Sequence, residues 1–159
     1  MSVEKAARIS DTIEHNIRRS IQQLDSLLVH TEPSKKEMYR IAIPVEHDKG
    51  LNSEVSEHLG KSPYFIFVDL HDDNLVSWFV VENPAGSLDK KRGIEAAHLF
   101  VRHRADALVT REVGEGPYHV LKDSSVQVLA LNQKSEIRQV LDAFSRRELR
   151  TLVPSNKQA

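Results

Sequence analysis

The residue with the widest chemical latitude is His58, which closes the run Ser56-Glu57-His58 and is followed by Leu59-Gly60. An imidazole can ligate a metal or carry a proton near neutral pH, and a glycine nearby lets backbone approach a ligand closely. The bland alternative is a surface histidine in a loop. A second group is Gly114-Glu115-Gly116-Pro117. It stands between a strand pattern and a helix pattern, so free backbone N–H groups there could cradle an anion. The alternative is a tight turn that needs positive φ. It is not a dinucleotide fingerprint, because His119 stands where a third glycine would be, and no Gly-Lys-Ser/Thr follows. Lys90, Lys91, Arg92 and Arg111 add cations, which could equally form a solvated surface. Further off, His30 and Glu32 share one strand face at i, i+2 and have metal-ligand chemistry.

These groups need elements to position them. Tyr39 to Val45, Tyr64 to Leu70 and Leu75 to Val81 read as strands, the last two separated by the turn-rich His71-Asp72-Asp73-Asn74. A helix from Gly93 to His103, a strand at Ala107 to Thr110, a short helix from Pro117, a strand at Val126 to Leu131 and a helix from Ser135 to about Arg150 follow. The order predicts an α/β domain on a five-stranded mixed sheet. The first three strands form a meander, and later strands, reached through helices, run parallel to the first. The loops Glu46 to Ser62, Glu82 to Arg92 and Arg111 to Gly116 then meet beyond the carboxyl ends of the parallel strands, where ligands bind in such sheets. The first loop, some sixteen residues long, shows no structure of its own. The turn at His71, Asp72 and Asp73 falls at the other edge. His98 and His103 lie about 140° apart around a helix and cannot chelate one ion together.

Before Pro33, residues Ile9, Ile13, Ile17 and Ile21 make an i, i+4 stripe on a helix from about Val3 to Gln23, and Leu27 to Glu32 reads as a short strand. One helix and one strand cannot bury their own apolar faces. The chain therefore divides into a helix-strand fragment at 1–33, a polar linker at 34–38, the main domain at 39–150 and a flexible tail at 151–159. The isoleucine stripe predicts a homodimer through the N-terminal helix.

Composition narrows the partners. With 22 basic and 23 acidic side chains the formal charge is −1, no field for nucleic acid. No cysteine is present, so disulfides, thiolate zinc sites and cysteine-held iron–sulfur clusters are excluded. A metal here would sit on nitrogen and oxygen. No apolar run approaches a membrane span, and Glu4, Lys5 and Arg8 stand where a signal peptide would be apolar, which predicts a cytoplasmic protein.

The segments Arg40-Ile41-Ala42-Ile43-Pro44, Ser56-Glu57-His58-Leu59-Gly60, Pro63-Tyr64-Phe65, Glu82-Asn83-Pro84, Gly93-Ile94-Glu95-Ala96-Ala97 and Leu108-Val109-Thr110-Arg111 together resemble the dinitrogenase iron–molybdenum cofactor biosynthesis family, over roughly residues 39 to 150. The resemblance implies a ribonuclease H-like fold of three layers and a non-enzymatic binder or carrier of metal clusters, with His58 as the family's histidine. On it, Ser56, Glu57, His58, Gly60, Gly93, Thr110, Arg111, Gly114 and Gly116 are the expected ligand-binding residues. Ala6 to Glu14 followed by Val29-His30-Thr31-Glu32-Pro33 resembles the last helix and strand of the cytoplasmic domain of cation diffusion facilitator transporters. That implies a zinc-binding role for His30, while the partner position on the helix is Ala7, and a membrane association only within a longer transporter.

The expected function is a carrier of a metal ion or anionic metallocluster, with an iron-containing cluster among the cargoes, and metal ligation by His58, His30 and Glu32. The alternative is an enzyme of ribonuclease H-like fold acting on a small anionic substrate at the Gly114 turn. A nuclease of that fold needs a carboxylate within its first strand, and Tyr39 to Val45 has none.

Overall fold

The computed structural model describes residues 8, 9, 11–13 and 38–154. The chain divides into two units, Met1–Lys36 and Glu37–Ala159. In the first, the described residues are helical; the Thr12 hydroxyl donates to the Arg8 carbonyl at 2.8 Å, and Ile9 and Ile13 are exposed. The expected strand at Leu27 to Glu32, with His30 and Glu32, and the end of the tail at 155–159 lie outside the described residues.

The second unit alternates strands and helices. Its strands are β1 (Tyr39–Val45), β2 (Tyr64–His71), β3 (Asn74–Glu82), β4 (Ala107–Thr110), β5 (Gln127–Ala130) and β6 (Arg150–Thr151), and its α-helices are α1 (Arg92–Arg102), α2 (Glu115–Asp123) and α3 (Ile137–Ser145). The sheet order is β3-β2-β1-β4-β5-β6. β1 is antiparallel to β2 and parallel to β4, and β4 is parallel to β5, as the meander and crossover reasoning expects. The β2–β3 turn holds Asp72 and Asp73 at φ 47° and 63°, the left-handed pair of a two-residue hairpin whose twist suits the strands. His71 and Asn74, expected in the turn, instead pair with each other inside the strands.

Alternation along the strands feeds two cores. Ala42, Phe65, Phe67, Leu108 and Val128 pack on Ala96, Ala97, Leu99 and Phe100 of α1 and Leu121 of α2. Ile41, Ile43, Val45, Ile66, Val68, Val109 and Leu129 pack on Ile137 and Val140 of α3. This is a three-layer arrangement. Phe65 and Phe100 meet edge to face at 4.8 Å, a favourable geometry for aromatic rings.

Several expectations need correction. The sheet has six strands, not five, because α3 stops at Ser145 rather than near Arg150. Arg147 turns left-handed at φ 60°, and the chain comes back so that Arg150 pairs with Ala130 and Thr151 with Leu129. Thr151 and Leu152 are therefore part of the domain, with the Leu152 N–H donating to the Val128 carbonyl at 2.8 Å, rather than a flexible tail. α3 begins at Ile137 rather than Ser135, and its cap is Glu136, whose backbone N–H donates to the Gln139 side chain at 2.9 Å. The loop from Glu46 to Ser62 has structure of its own, because buried Val55 draws it back across the core. It holds a 3-10 turn at Gly50–Asn52 and a bridge from Val55 to Val45, and the Val55 N–H donates to the Ser135 carbonyl at 3.0 Å.

Among the described residues no helix is long and apolar enough to cross a membrane.

Candidate functional site

β1 and β4 are parallel, so the loops that leave their ends emerge at one edge of the sheet, and β3, antiparallel to β2, delivers a third loop there. Between them is a cleft of about 950 Å³ lined by His58, Leu59, Gly60 and Lys61 from the first loop, Asp89 to Gly93 from the third, and Glu112 to Glu115 with Pro117 beyond β4. The His71 turn is at the opposite edge, beside the start of β1.

Two helices begin at this cleft. α1 starts at Arg92 behind Lys91, and α2 starts at Glu115 behind Gly114; neither has a side-chain cap. The first intrahelical donors are Glu95, to Lys91, and Tyr118, to Gly114, so the N–H groups of Arg92, Gly93, Ile94, Glu115 and Gly116 precede the helical ladder. Uncapped N-termini carry partial positive charge and favour anions. Lys61, Lys90, Lys91 and Arg92 add cationic side chains around them, set against Asp89, Glu112 and Glu115.

Glycines let these parts meet. A Cβ on Gly60 would stand 2.7 Å from the Gly93 nitrogen, one on Gly93 3.2 Å from Pro117, and one on Gly116 3.0 Å from Ile94. The loop after β1 thus packs on the start of α1, and α1 on the start of α2. Gly114 has φ −79°, and among the described residues only Gly50 is a glycine with positive φ, so the turn reading of the 114–116 glycines is corrected: Gly116 is there for close approach to Ile94, while Gly114 has room for a side chain.

The loops are cross-linked. His58 Nδ1 lies 2.6 Å from Glu112 Oε1, and Arg111 donates to Glu57 at 2.7 Å, two adjacent rungs joining the loop after β1 to the loop after β4. Buried Ser56 donates to Glu46 and accepts from the His58 N–H at 3.4 Å. Buried Thr110 donates to the Glu112 carbonyl at 3.1 Å. Asn83 is buried and acts as a clamp, donating to the carbonyls of Gly60 at 3.1 Å and Ser62 at 2.7 Å and accepting from the Ala85 N–H at 2.9 Å.

Of the expected residues, His58, Gly60, Gly93 and Gly114 line the cleft. Ser56, Glu57, Thr110 and Arg111 brace it, and Gly116 packs behind it on Ile94. Lys61 and Glu112 were not singled out from sequence, and the clamp Asn83 entered there only within the Glu82-Asn83-Pro84 segment of the family resemblance. Lys61 follows Gly60 directly and could have been found by proximity, whereas the partners of Glu112 and Asn83 lie 54 and 21 to 23 residues away and leave no local mark. Among the described residues no three of His, Cys, Asp or Glu are grouped to hold a metal ion.

The perturbed ionisable groups are elsewhere. Arg40 near the start of β1 grips Asp69 in two hydrogen bonds of 2.7 and 2.9 Å, which hold the Asp69 carboxyl below the usual carboxylate range. His103 packs on Phe67 and Phe79, and burial lowers its pKa, with help from Arg40 and Arg102. Val45 at the cleft edge lies five steps along β1 from Arg40, roughly 16 Å. That cluster braces the fold.

The architecture is that of an α/β domain whose cleft presents backbone donors and cations at one sheet edge. Residues 39–147 match the dinitrogenase iron-molybdenum cofactor family, and the chain belongs to that family. It is similar to the apo form of the orange protein from Desulfovibrio gigas, at 26% identity and a TM-score of 0.68 over 76% of this chain and 98% of that one. It is also similar to a Thermotoga protein named as a NifB candidate, at 26% identity and a TM-score of 0.63 over 76% of this chain and 99% of that one. An uncharacterized protein of Methanocaldococcus jannaschii is 24% identical over 105 residues, 66% of this chain and 85% of the relative.

Proposed function

We propose that this domain is a non-enzymatic carrier that holds an anionic metallocluster in the cleft at the carboxyl edge of its sheet. The observation that carries this reading is the convergence of two uncapped helix N-termini, at Arg92 and Glu115, on one cleft that also presents Lys61, Lys90 and Lys91. Backbone N–H groups and ammonium groups hold an anion by its outer atoms without breaking its bonds, which is the chemistry of transport rather than turnover. His58 supplies one nitrogen able to reach a metal. The family match and the likeness to a protein described in an apo form support a bound group of this kind. The strand order β3-β2-β1-β4-β5, with β1 antiparallel to β2 and parallel to β4, supports a ribonuclease H-like placement.

The protein would work in the cytoplasm. If residues 1–33 are the end of a cation diffusion facilitator cytoplasmic domain, as Val29-His30-Thr31-Glu32-Pro33 suggests, the carrier would sit at the cytoplasmic face of a membrane beside an exported metal, with His30 and Glu32 contacting that ion.

The test is elemental analysis of the full chain purified from its own host. Iron, molybdenum or another metal should accompany the wild type, fall on replacing Lys90, Lys91 and Arg92 together with alanine, and fall on His58→Ala. Metal that survives both changes and is lost on His30→Ala would move the site out of the cleft and refute the reading.

A further inference from the structure

Resting on the reading of the cleft as the cargo site, we propose that Glu112 is a positioning residue that holds the His58 imidazole with its proton on Nδ1, so that Nε2 is the ring nitrogen offered to a metal of the cargo. His58 Nδ1 lies 2.6 Å from Glu112 Oε1. A carboxylate only accepts hydrogen bonds, so Nδ1 must donate, and a neutral imidazole then keeps its lone pair on Nε2. The contact to Glu112 is made through Nδ1, which leaves Nε2 as the ring nitrogen facing away from that carboxylate.

The two side chains are about half exposed, and the contact rests on backbone that is braced at both ends. The His58 N–H reaches buried Ser56, the Glu112 carbonyl accepts from buried Thr110, and the neighbouring Arg111–Glu57 pair at 2.7 Å locks the same two loops. Histidines that ligate metals commonly donate their other N–H to a carboxylate, which fixes the tautomer and the ring. One nitrogen holds a bare ion only weakly and in exchange, and among the described residues no three His, Cys, Asp or Glu side chains gather. The cargo must therefore bring most of its own ligand shell: a preassembled anionic cluster with one exchangeable coordination position.

The test reads ring nitrogen shifts of His58 by NMR on the ¹⁵N-labelled full chain at pH 8. The Nδ1–H tautomer should dominate in the wild type, persist in Glu112→Gln, whose amide oxygen still accepts, and shift toward Nε2–H by roughly tenfold in Glu112→Ala, the scale of one charge-assisted hydrogen bond. A folded-state spectrum otherwise unchanged separates this from unfolding. Cobalt(II) chloride at sub-stoichiometric level should broaden the His58 ring in the wild type and less so in Glu112→Ala. A wild type already in the Nε2–H form, or a tautomer indifferent to Glu112→Ala, overturns the positioning role. Cobalt broadening that spares His58, with the tautomer shift as expected, instead overturns the reading of His58 as a ligand, and the proposal with it.

Discussion

Replacing Gly60 with alanine should damage this protein far more than the same change at Gly114, although both glycines line one cleft. At Gly60 the new methyl would stand 2.7 Å from the Gly93 nitrogen and 2.8 Å from the Arg92 Cβ. Both are parts of the first turn of α1, so no flexible side-chain end can swing aside. Carbon contacts are comfortable near 3.5 to 4.0 Å, so the loop and the helix must part by about 0.8 Å or more. Overpacking of this kind costs about 1–3 kcal/mol. At about 4 °C per kcal/mol for a domain of this size, Tm should fall by roughly 4–12 °C. At Gly114 the nearest atom is 3.8 Å away and φ is −79°, so alanine fits and its effect should stay within about 0.5 kcal/mol. Thermal and urea unfolding of the two variants beside the wild type measures both. Because Gly60 also sets the distance from His58 to α1, its alanine variant should lose bound metal as well. Equal stabilities for the two variants would refute the claim that Gly60 is there for close approach.

The Arg40–Asp69 pair is mostly sheltered, with Asp69 12% exposed, so Arg40→Met should strand a carboxylate and cost about 2–4 kcal/mol in urea unfolding; an unchanged midpoint would contradict the bracing role. Stability should also depend on pH through two groups. His103, whose pKa burial lowers, takes up its proton at lower pH when folded than when unfolded, so stability should decline as pH falls below about 6.5, where the unfolded chain is protonated first. Asp69, held low chiefly by the hydrogen bond from Arg40, adds a second loss as pH falls through about 4 and below. Unfolding free energies measured between pH 8 and pH 3 check both, and a flat profile over that range would contradict them. The stripe of Ile9, Ile13, Ile17 and Ile21 is expected to join two copies of the chain. Light scattering should then give a dimer for the full chain and a monomer for one beginning at Lys35, and equal association states would refute it.

Much of the architecture was legible along the chain because it rests on local periodicity. Ile41, Ile43 and Val45 alternate with Ala42, so the two faces of β1 could be read without knowing what covers them. The parallel crossovers then required the loops after β1 and β4 to emerge together, which placed His58 and Gly114 at one edge. What the pattern did not carry were the ends of elements and the purpose of particular residues. α1, α2 and α3 are each followed by a left-handed non-glycine residue, Arg104, Ser125 and Arg147, so the usual glycine stop signal is absent and α3 reads too long. β6 exists because Arg150 and Thr151 find β5 twenty residues away, a pairing with no signature in its own two residues. Gly116 looked like a turn residue and proved to be a clearance for Ile94; Glu112, which nothing in its own stretch of sequence marks out, faces His58. Periodicity is written between neighbours in sequence and survives in the bare string of residues, whereas clearance, clamping and ion pairing are relations between segments that only the folded chain brings within a few ångströms.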